Sequence, residues 1–381
     1  MLLVLAGSAL VAPAARAAGP PTVASFSPAI VAAGDTVTVL GSNLDPADTK
    51  VFVNGVAATV LTRAAGNLTF TVPAAAGGSR ITVTNSAGTV ISADDLAVVP
   101  SDTTTASVSG TARITAAVKA TLSVPAGKTL LRLVDGTDTD RFAVLIESAA
   151  PGGCSFDLTL YDPRLAAMGS AVCTSTGGWL DTTAVGVAGT RTLAIRNTSA
   201  SAGTLDVTVL KVPADANLGT LPLDGTAKTV TIGTPGQNGY LTFAGTAGQR
   251  VSVQTSDASA VLLCCSVRWG LYRADGTPVG NSKLGNDYLD TTTLPVTGTY
   301  QLRLDPSDSR TGSVTAAAWT VPADLDLGVL PLDGTAKTVT IGTPGQNGYL
   351  TFAGTAGQRV TVQTTGASAA LLCCYLDWAI F

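Results

Sequence analysis

The sequence predicts an all-β protein assembled from tandem β-sandwich or jelly-roll-like domains. Short runs of β-branched residues are separated by Gly, Pro, Asn and Asp, which is typical of strands joined by tight turns. Glycine accounts for 41 of the 381 residues, and only 13% of the residues are charged. A long stretch also recurs one domain length further along the chain, which indicates that the protein grew by duplication.

The repeat organises the second half of the chain. The string LPLDGTAKTVTIGTPGQNGYLTFAGTAGQRV at 221–251 recurs at 330–360, a period of 109 residues (330 − 221). The segments WLDTT at 179–183 and YLDTT at 288–292 have the same spacing, so a diverged copy precedes the other two. A match of Ala126 to Ala247 gives an offset of 121 (247 − 126) instead, which predicts an insertion around residues 135–140 of the first copy.

These matches divide the chain into a leader and four units. The first residues combine an apolar run with an Ala-x-Ala pattern that ends at Ala17, which indicates a signal peptide. The run is shorter than the roughly 20 residues that span a bilayer, so we expect an exported chain with no membrane span. The predicted divisions are a signal peptide at 1–18, an N-terminal domain at 19–100, a diverged first repeat at 101–219, a second repeat at 220–328 and a truncated third repeat at 329–381.

Within the repeat, short β-branched or aromatic runs predict strands at 229–232, 240–243, 250–254, 299–304 and 313–320. Val267, Trp269 and Leu271 alternate with less apolar residues, which predicts a half-buried strand. Asp275-Gly276 then predicts a hairpin turn.

Residues 20–99 carry their own pattern. Asn54-Gly55 lies between apolar runs and predicts a type I′ hairpin, because both central residues of that turn need a positive φ. Together with the segments GDTVTVLGSNL at 34–44 and ITVTNSAGT at 81–89, it resembles an IPT/TIG domain. That resemblance implies an immunoglobulin-like sandwich. Such domains occur in receptors, transcription factors and bacterial surface proteins, and the leader favours the last of these.

The repeats resemble a second family. The segments GYLTF at 239–243, AGQRV at 247–251, LYRADGT at 271–277 and TGTYQL at 297–302 are similar to bacterial pre-peptidase C-terminal domains and their relatives in secreted and RHS/YD-repeat-type proteins. The resemblance covers roughly residues 105–381. It implies accessory sandwiches without catalysis of their own.

Composition excludes several classes of chemistry. The chain has no histidine, which removes Ser-His-Asp and Cys-His catalysis and histidine-ligated zinc. A net charge of −4 gives no basic footprint for nucleic acid. Nucleophile-elbow, phosphate-loop and dinucleotide-binding motifs are absent as well. We therefore expect a non-enzymatic protein that carries no cofactor and does not bind nucleic acid.

The candidate disulfide residues are Cys154, Cys173, Cys264, Cys265, Cys373 and Cys374. Cys154 and Cys173 either form a disulfide inside the first repeat or remain two buried thiols. Neighbouring side chains of a strand point to opposite faces, so a vicinal disulfide between Cys264 and Cys265 requires a local break from β geometry. Separate or intermolecular thiols are the alternative for that pair and for its duplicate.

Two further groups of residues are weaker candidates for sites. Asp135, Asp138 and Asp140 have alternating acidic spacing that suits calcium, but they lack the full loop pattern, and a solvated turn is the other interpretation. The aromatic residues fill sandwich cores or form a platform on which sugar rings stack. They are Trp179, Trp269, Trp319, Trp378 and Tyr288.

The main functional hypothesis is a secreted or cell-surface stalk, display or adhesion array whose partner is an unknown extracellular protein or glycan. Its basis is the leader, the near-identical repeats and the missing histidine. One alternative is the N-terminal accessory region of a larger secreted enzyme or RHS/YD-repeat toxin-like protein. The other is a carbohydrate-binding array.

Overall fold

The computed structural model describes residues 19–148, 154–174, 177–181, 186–262, 266–366 and 379–381. They form 28 β-strands and one short 3-10 helix, and no α-helix occurs among them, so the all-β prediction is confirmed. Within these residues no helix has the length and hydropathy that a bilayer crossing needs. The predicted signal peptide, Cys264, Cys265, Cys373, Cys374 and Trp378 lie outside the described residues.

The N-terminal sandwich has eight strands. They are β1 (Thr22–Ser27), β2 (Ile30–Val31), β3 (Thr36–Ser42), β4 (Lys50–Val53), β5 (Val56–Arg63), β6 (Asn67–Thr71), β7 (Ser79–Asn85) and β8 (Gly88–Val98). Their order is β1-β3-β6-β5-β4-β7-β8-β2, and β5 pairs with β4 through its first residues and with β6 through its last. On β3, Val37 and Val39 are fully buried while the intervening threonines face outward, as the period of two requires.

The predicted Asn54-Gly55 turn is confirmed. It joins β4 to β5 with Val53 opposite Val56, and its two residues have φ values of 47° and 77°. Both values lie in the left-handed region, which glycine enters freely and asparagine enters more readily than other residues with side chains.

Two sandwiches of nine strands follow. The first contains the 3-10 helix Thr105–Ser107 and the strands β9 (Val108–Arg113), β10 (Ala120–Val124), β11 (Thr129–Gly136), β12 (Arg141–Ser148), β13 (Phe156–Tyr161), β14 (Ala167–Val172), β15 (Gly178–Asp181), β16 (Gly189–Asn197) and β17 (Gly203–Val212). The second contains β18 (Ala216–Thr220), β19 (Lys228–Ile232), β20 (Gly239–Gly245), β21 (Arg250–Ser256), β22 (Val267–Arg273), β23 (Lys283–Leu284), β24 (Tyr288–Thr293), β25 (Gly298–Pro306) and β26 (Gly312–Thr320).

The two nine-stranded sandwiches have the same topology. The first pairs a sheet β9-β11-β16-β13-β14 with a sheet β10-β17-β12-β15. The second pairs β18-β20-β25-β22-β23 with β19-β26-β21-β24, which is the same order strand for strand. Each encloses its own apolar core. Of a third unit, the described residues contain β27 (Leu325–Val329) and β28 (Gly348–Thr351), whose parallel pairing repeats that of β18 with β20.

The predicted insertion in the first repeat is wrong. The backbone N–H of Thr137 donates to Oδ2 of Asp140 at 2.8 Å in the β11–β12 turn, and the N–H of Thr246 donates to Oε1 of Gln249 at 3.0 Å in the β20–β21 turn. These turns are therefore equivalent at the period of 109, without extra residues. The Ala-Gly pair at 126–127 belongs instead to the preceding turn, because so short a turn motif occurs more than once in a unit.

The strand pairing also shifts the unit junctions towards the N-terminus. Strand β18 starts at Ala216 and pairs in parallel with β20, so it belongs to the second sandwich. The boundaries predicted after residues 219 and 328 each fall inside such a first strand. Only residues 213–215 separate the two nine-stranded sandwiches, since β17 ends at Val212.

A disulfide joins Cys154 to Cys173, with 5.3 Å between their Cα atoms. It connects the segment before β13 to the segment after β14, and Cys173 is 1% exposed. Because the bridge closes a loop with a sequence separation of 19 residues, it removes conformations mainly from the unfolded chain.

We expect the double variant Cys154→Ala/Cys173→Val to lose about 3 kcal/mol of free energy of unfolding in the first sandwich. Hydrogen exchange of the whole chain measures this loss for each sandwich separately. The N-terminal sandwich has no cysteine between residues 19 and 100 and serves as the internal control. Unchanged protection in the first sandwich would contradict the prediction.

Candidate functional site

The N-terminal sandwich and the first nine-stranded sandwich meet at the Asn54 hairpin. The Nδ2 of Asn54 donates to the carbonyl oxygens of Pro163 at 3.1 Å and Thr190 at 2.7 Å. Its Oδ1 accepts from the N–H of Thr190 at 2.9 Å. A small apolar cluster that includes Ala97, Leu131 and Ala194 is buried between the same two sandwiches. The hairpin turn is therefore also a docking element.

Arg113 also connects these two sandwiches, through an ion pair with Asp95. Its Nε and Nη2 donate to the two carboxylate oxygens of Asp95 at 2.8 and 2.6 Å, and its Nη1 donates to Asp135 at 2.5 Å. The hydrogen bonds to these carboxylates raise the pKa of Arg113 above its ordinary value. A forked pair of this kind fixes orientation as well as distance.

A second interface joins the two nine-stranded sandwiches. The turn between β19 and β20 docks on β12 and β15, so a Cβ placed on Gly236 would lie 3.0 Å from Cζ2 of Trp179. Gly236 has a φ of 74°, and its carbonyl oxygen accepts from Nη2 of Arg141 at 2.8 Å. Nη1 of Arg141 pairs with Asp215 of the connecting segment at 2.6 Å. We call this set of contacts the joint.

The joint recurs at the period of 109. Arg250 pairs with Asp324 at 2.7 Å, as Arg141 pairs with Asp215. A Cβ on Gly345 would lie 2.6 Å from the hydroxyl of Tyr288, which takes the place of Trp179. Thr291 adds a hydrogen bond of 2.5 Å to the carbonyl oxygen of Gly345.

A polar cleft lies on the outer face of the first nine-stranded sandwich. Residues 102–107 cross this face as a strap, which is held where the hydroxyl of Tyr161 donates to Asp102 at 2.9 Å and where Nζ of Lys128 donates to the carbonyl oxygen of Ala106 at 2.9 Å. The cleft between strap and sheet has a volume of about 330 Å³. Its lining includes Ser107, Thr129, Asp157, Thr159, Ala194 and Arg196.

The tyrosine that holds the strap is a permanent hydrogen-bond donor at ordinary pH. Tyr161 is 6% exposed, and its burial together with the carboxylate of Asp102 raises the pKa of its hydroxyl to about 12. The strap therefore keeps this attachment across the physiological pH range, and the wall of the cleft stays in place.

Residues 21–98 match the IPT/TIG domain model. The resemblance inferred for the N-terminal sandwich is thereby confirmed, and the IPT/TIG domain ends at the last residue of β8. The resemblance of the later units to pre-peptidase C-terminal domains stays a prediction. No curated protein matches the chain.

Among solved structures, the chain is similar to PliG of Aeromonas hydrophila, a periplasmic inhibitor of g-type lysozyme, at 11% identity, with 28% of this chain and 98% of that one covered and a TM-score of 0.23. It is also similar to SGBP-B from a complex xyloglucan utilization locus of Bacteroides uniformis (16% identity, 51% and 74% covered, TM-score 0.20). A third is Bacteroides ovatus SGBP-B in complex with a mixed-linkage heptasaccharide (17% identity, 76% and 71% covered, TM-score 0.16). At these scores the likenesses carry no functional argument.

The three aspartates of the calcium hypothesis do not converge. Asp135 bonds to Arg113 and to the hydroxyl of Thr190, next to the IPT/TIG domain. Asp140 forms an ion pair with Lys211 at 2.8 Å and accepts a hydrogen bond from the N–H of Thr137. Burial favours the neutral carboxyl, but these two contacts outweigh it and hold the pKa of Asp140 below its ordinary value. Asp138 is exposed. Among the described residues no cluster of acidic or cysteine side chains has the arrangement of a metal site.

The aromatic residues do not share a surface either. Trp269 is 1% exposed inside the second nine-stranded core, where its Nε1 donates to the carbonyl oxygen of Gly285 at 3.0 Å. Trp179 and Tyr288 belong to successive joints, and Trp319 packs against Gly225.

Sequence reasoning missed the contacts that join the units. Asn54 was recognised only as a turn residue, although its side chain also reaches the first nine-stranded sandwich. The joint did leave a signal, because Arg141 and Asp215 recur as Arg250 and Asp324 at the period of 109. A charged pair that keeps its spacing across a connecting segment is the pattern to look for.

Proposed function

We propose that this protein is a non-catalytic, exported spacer that holds its sandwich domains in a fixed relative orientation. The observation that carries the proposal is the joint, which appears twice with the same kinds of contacts. A chain whose units were free to rotate would not need to preserve an arginine–aspartate pair, a glycine and an aromatic residue at each junction.

The short segments that connect successive sandwiches support a stiff arrangement of the units. Residues 213–215 are too few to act as a flexible linker, and Pro213 restricts the backbone further. Gln237 of the docking turn donates to the carbonyl oxygen of Ala214 at 2.8 Å, and Gln346 does the same to Ala323 at 2.7 Å. Each connecting segment is thus held to the unit that follows it.

Export to the cell surface or the medium is part of the proposal. The apolar leader with its Ala-x-Ala pattern supports it. The disulfide between Cys154 and Cys173 supports it as well, because such bonds persist in oxidising compartments and are rare in the cytosol.

Duplication of residues 216–324 tests the spacer. An extra copy of this segment has the period of the repeat, so the joint can form again on both of its sides. We expect small-angle X-ray scattering to show a maximum dimension longer by one sandwich, about 30 Å for strands of nine residues. A matched control inserts a flexible Gly/Ser segment of equal length. A longer chain that scatters like this control would contradict a stiff spacer.

A second candidate function is carbohydrate binding, on its own or combined with spacing. The specific observation is the strap-covered cleft, whose lining is rich in hydroxyl groups and charged groups. Carbohydrate ligands also agree with the absence of histidine-based chemistry, since binding needs no nucleophile or base.

A further inference from the structure

We propose that the cleft under the strap binds a neutral saccharide of one or two rings, and that Asp157 and Arg196 are its principal contacts. This inference rests on the second candidate function and assigns it a site and a ligand class. The two residues are directly opposite each other on β13 and β16 and face outward from the sheet. A carboxylate accepts two O–H groups, whereas a guanidinium only donates, so together they match a pair of neighbouring sugar hydroxyls.

The remaining lining fits the same ligand. Ser107 of the strap and Thr129 and Thr159 of the sheet add hydroxyls that both donate and accept. The apolar part is limited to Ala194 and the ring of Tyr161, so an apolar ligand would find little surface to cover. The volume of about 330 Å³ lies at the lower end of the range for small-molecule sites, which limits the ligand to a few rings at most.

The charged groups at the cleft also bear on the class of ligand. The charged lining residues are Asp102, Asp157 and Arg196, and the ammonium of Lys128 bonds to the strap beside them, so the charges at the cleft balance. Phosphates and acidic sugars therefore gain no net electrostatic attraction there, and the two carboxylates repel an anion that approaches them. A bound cation is not supported, because no metal-type cluster occurs among the described residues.

The second nine-stranded sandwich provides a natural comparison. At the equivalent strand positions it carries Arg268 opposite Asp305, so the charges of the pair are exchanged. Among the described residues no equivalent strap crosses that face, since only residues 213–215 precede its first strand. The cleft is consequently a feature of the first nine-stranded sandwich, although both share one topology.

The test uses the whole chain on immobilised cellobiose, maltose, lactose and mannobiose, with glucuronic acid as the acidic probe. We expect retention on at least one neutral disaccharide and none on glucuronic acid. Asp157→Ala and Arg196→Ala should each weaken retention about tenfold or more, as expected for loss of a charged hydrogen-bonding partner. Arg268→Ala on the second nine-stranded sandwich is the matched control and should leave retention unchanged.

The outcomes separate this inference from the proposals above. Retention that survives both cleft substitutions would overturn the assignment of the site while leaving carbohydrate binding in place. Failure of every neutral probe to bind would overturn both the site and the second candidate function, and it would not affect the scattering test of the spacer. Circular dichroism of the variants shows whether each is folded, and the surface position of Arg196 makes a folding defect in Arg196→Ala unexpected.

Discussion

Replacing Trp269 with alanine is expected to lower the free energy of unfolding of the second nine-stranded sandwich by about 3–5 kcal/mol. The side chain is 1% exposed and is the largest of the fully buried residues, so its removal leaves a cavity that β sheets on both sides cannot close. The carbonyl oxygen of Gly285 also loses one of its two donors and keeps only the hydroxyl of Thr255. Hydrogen exchange of the whole chain, which reports on each sandwich separately, measures the effect.

Trp319→Ala is the matched control, because it removes the same side chain from a half-buried position on β26. We expect it to cost less than half as much, in proportion to the smaller area that it buries. The pair also distinguishes a core role from sugar stacking. If Trp269 were a stacking residue, its substitution would leave the protection of the sandwich core unchanged, which is the result that would contradict our assignment.

The second large effect is expected at the joint. Gly236→Leu places a side chain where Trp179 and Val212 already lie within 3.2 Å of a Cβ, so the two nine-stranded sandwiches must separate. We expect scattering to change from the profile of one fixed arrangement to that of units moving independently. The unfolding free energies of the individual sandwiches should fall by no more than the strain of the left-handed backbone, about 1–2 kcal/mol.

Gly127→Leu is the control for that strain. Gly127 is the equivalent residue of the first nine-stranded sandwich, with a φ of 63°, but a Cβ there meets no atom within 4 Å, because the IPT/TIG domain docks elsewhere. Both variants therefore carry the same backbone penalty and differ only in the joint. Scattering that changes equally in the two variants would show that Gly236 matters for its turn and not for the contact between units.

Local features of the fold followed from the residues themselves. The Asn54-Gly55 turn was predicted because few residue pairs accept two positive φ values, and the structure has it. The strands at 229–232, 240–243 and 250–254 were predicted for a similar reason, since β-branched runs between turn residues have few alternatives. The insertion prediction failed where it relied on two residues, because an Ala-Gly turn is too short to fix a register.

The site features depended on distant parts of the chain. The strap becomes the wall of a cleft only because Tyr161 on β13 and Lys128, in the turn before β11, bond to it. Asp135 and Asp140 have the spacing of a calcium loop, yet they pair with Arg113 and with Lys211, which lie far apart in sequence. The spacing of carboxylates along the chain does not show whether they bind a metal ion or pair with the Arg and Lys side chains that folding brings to them.

An all-β protein, an N-terminal IPT/TIG domain and a unit that repeats every 109 residues could all be predicted from the residues alone. Turn chemistry, alternation and literal duplication are properties of neighbouring residues, so they can be read directly. How the units are joined, and where the cleft under the strap lies, became visible in the tertiary structure alone. Both depend on contacts such as Arg141 with Gly236 and Asn54 with Thr190, which exist because folding brings remote backbone groups within hydrogen-bond distance.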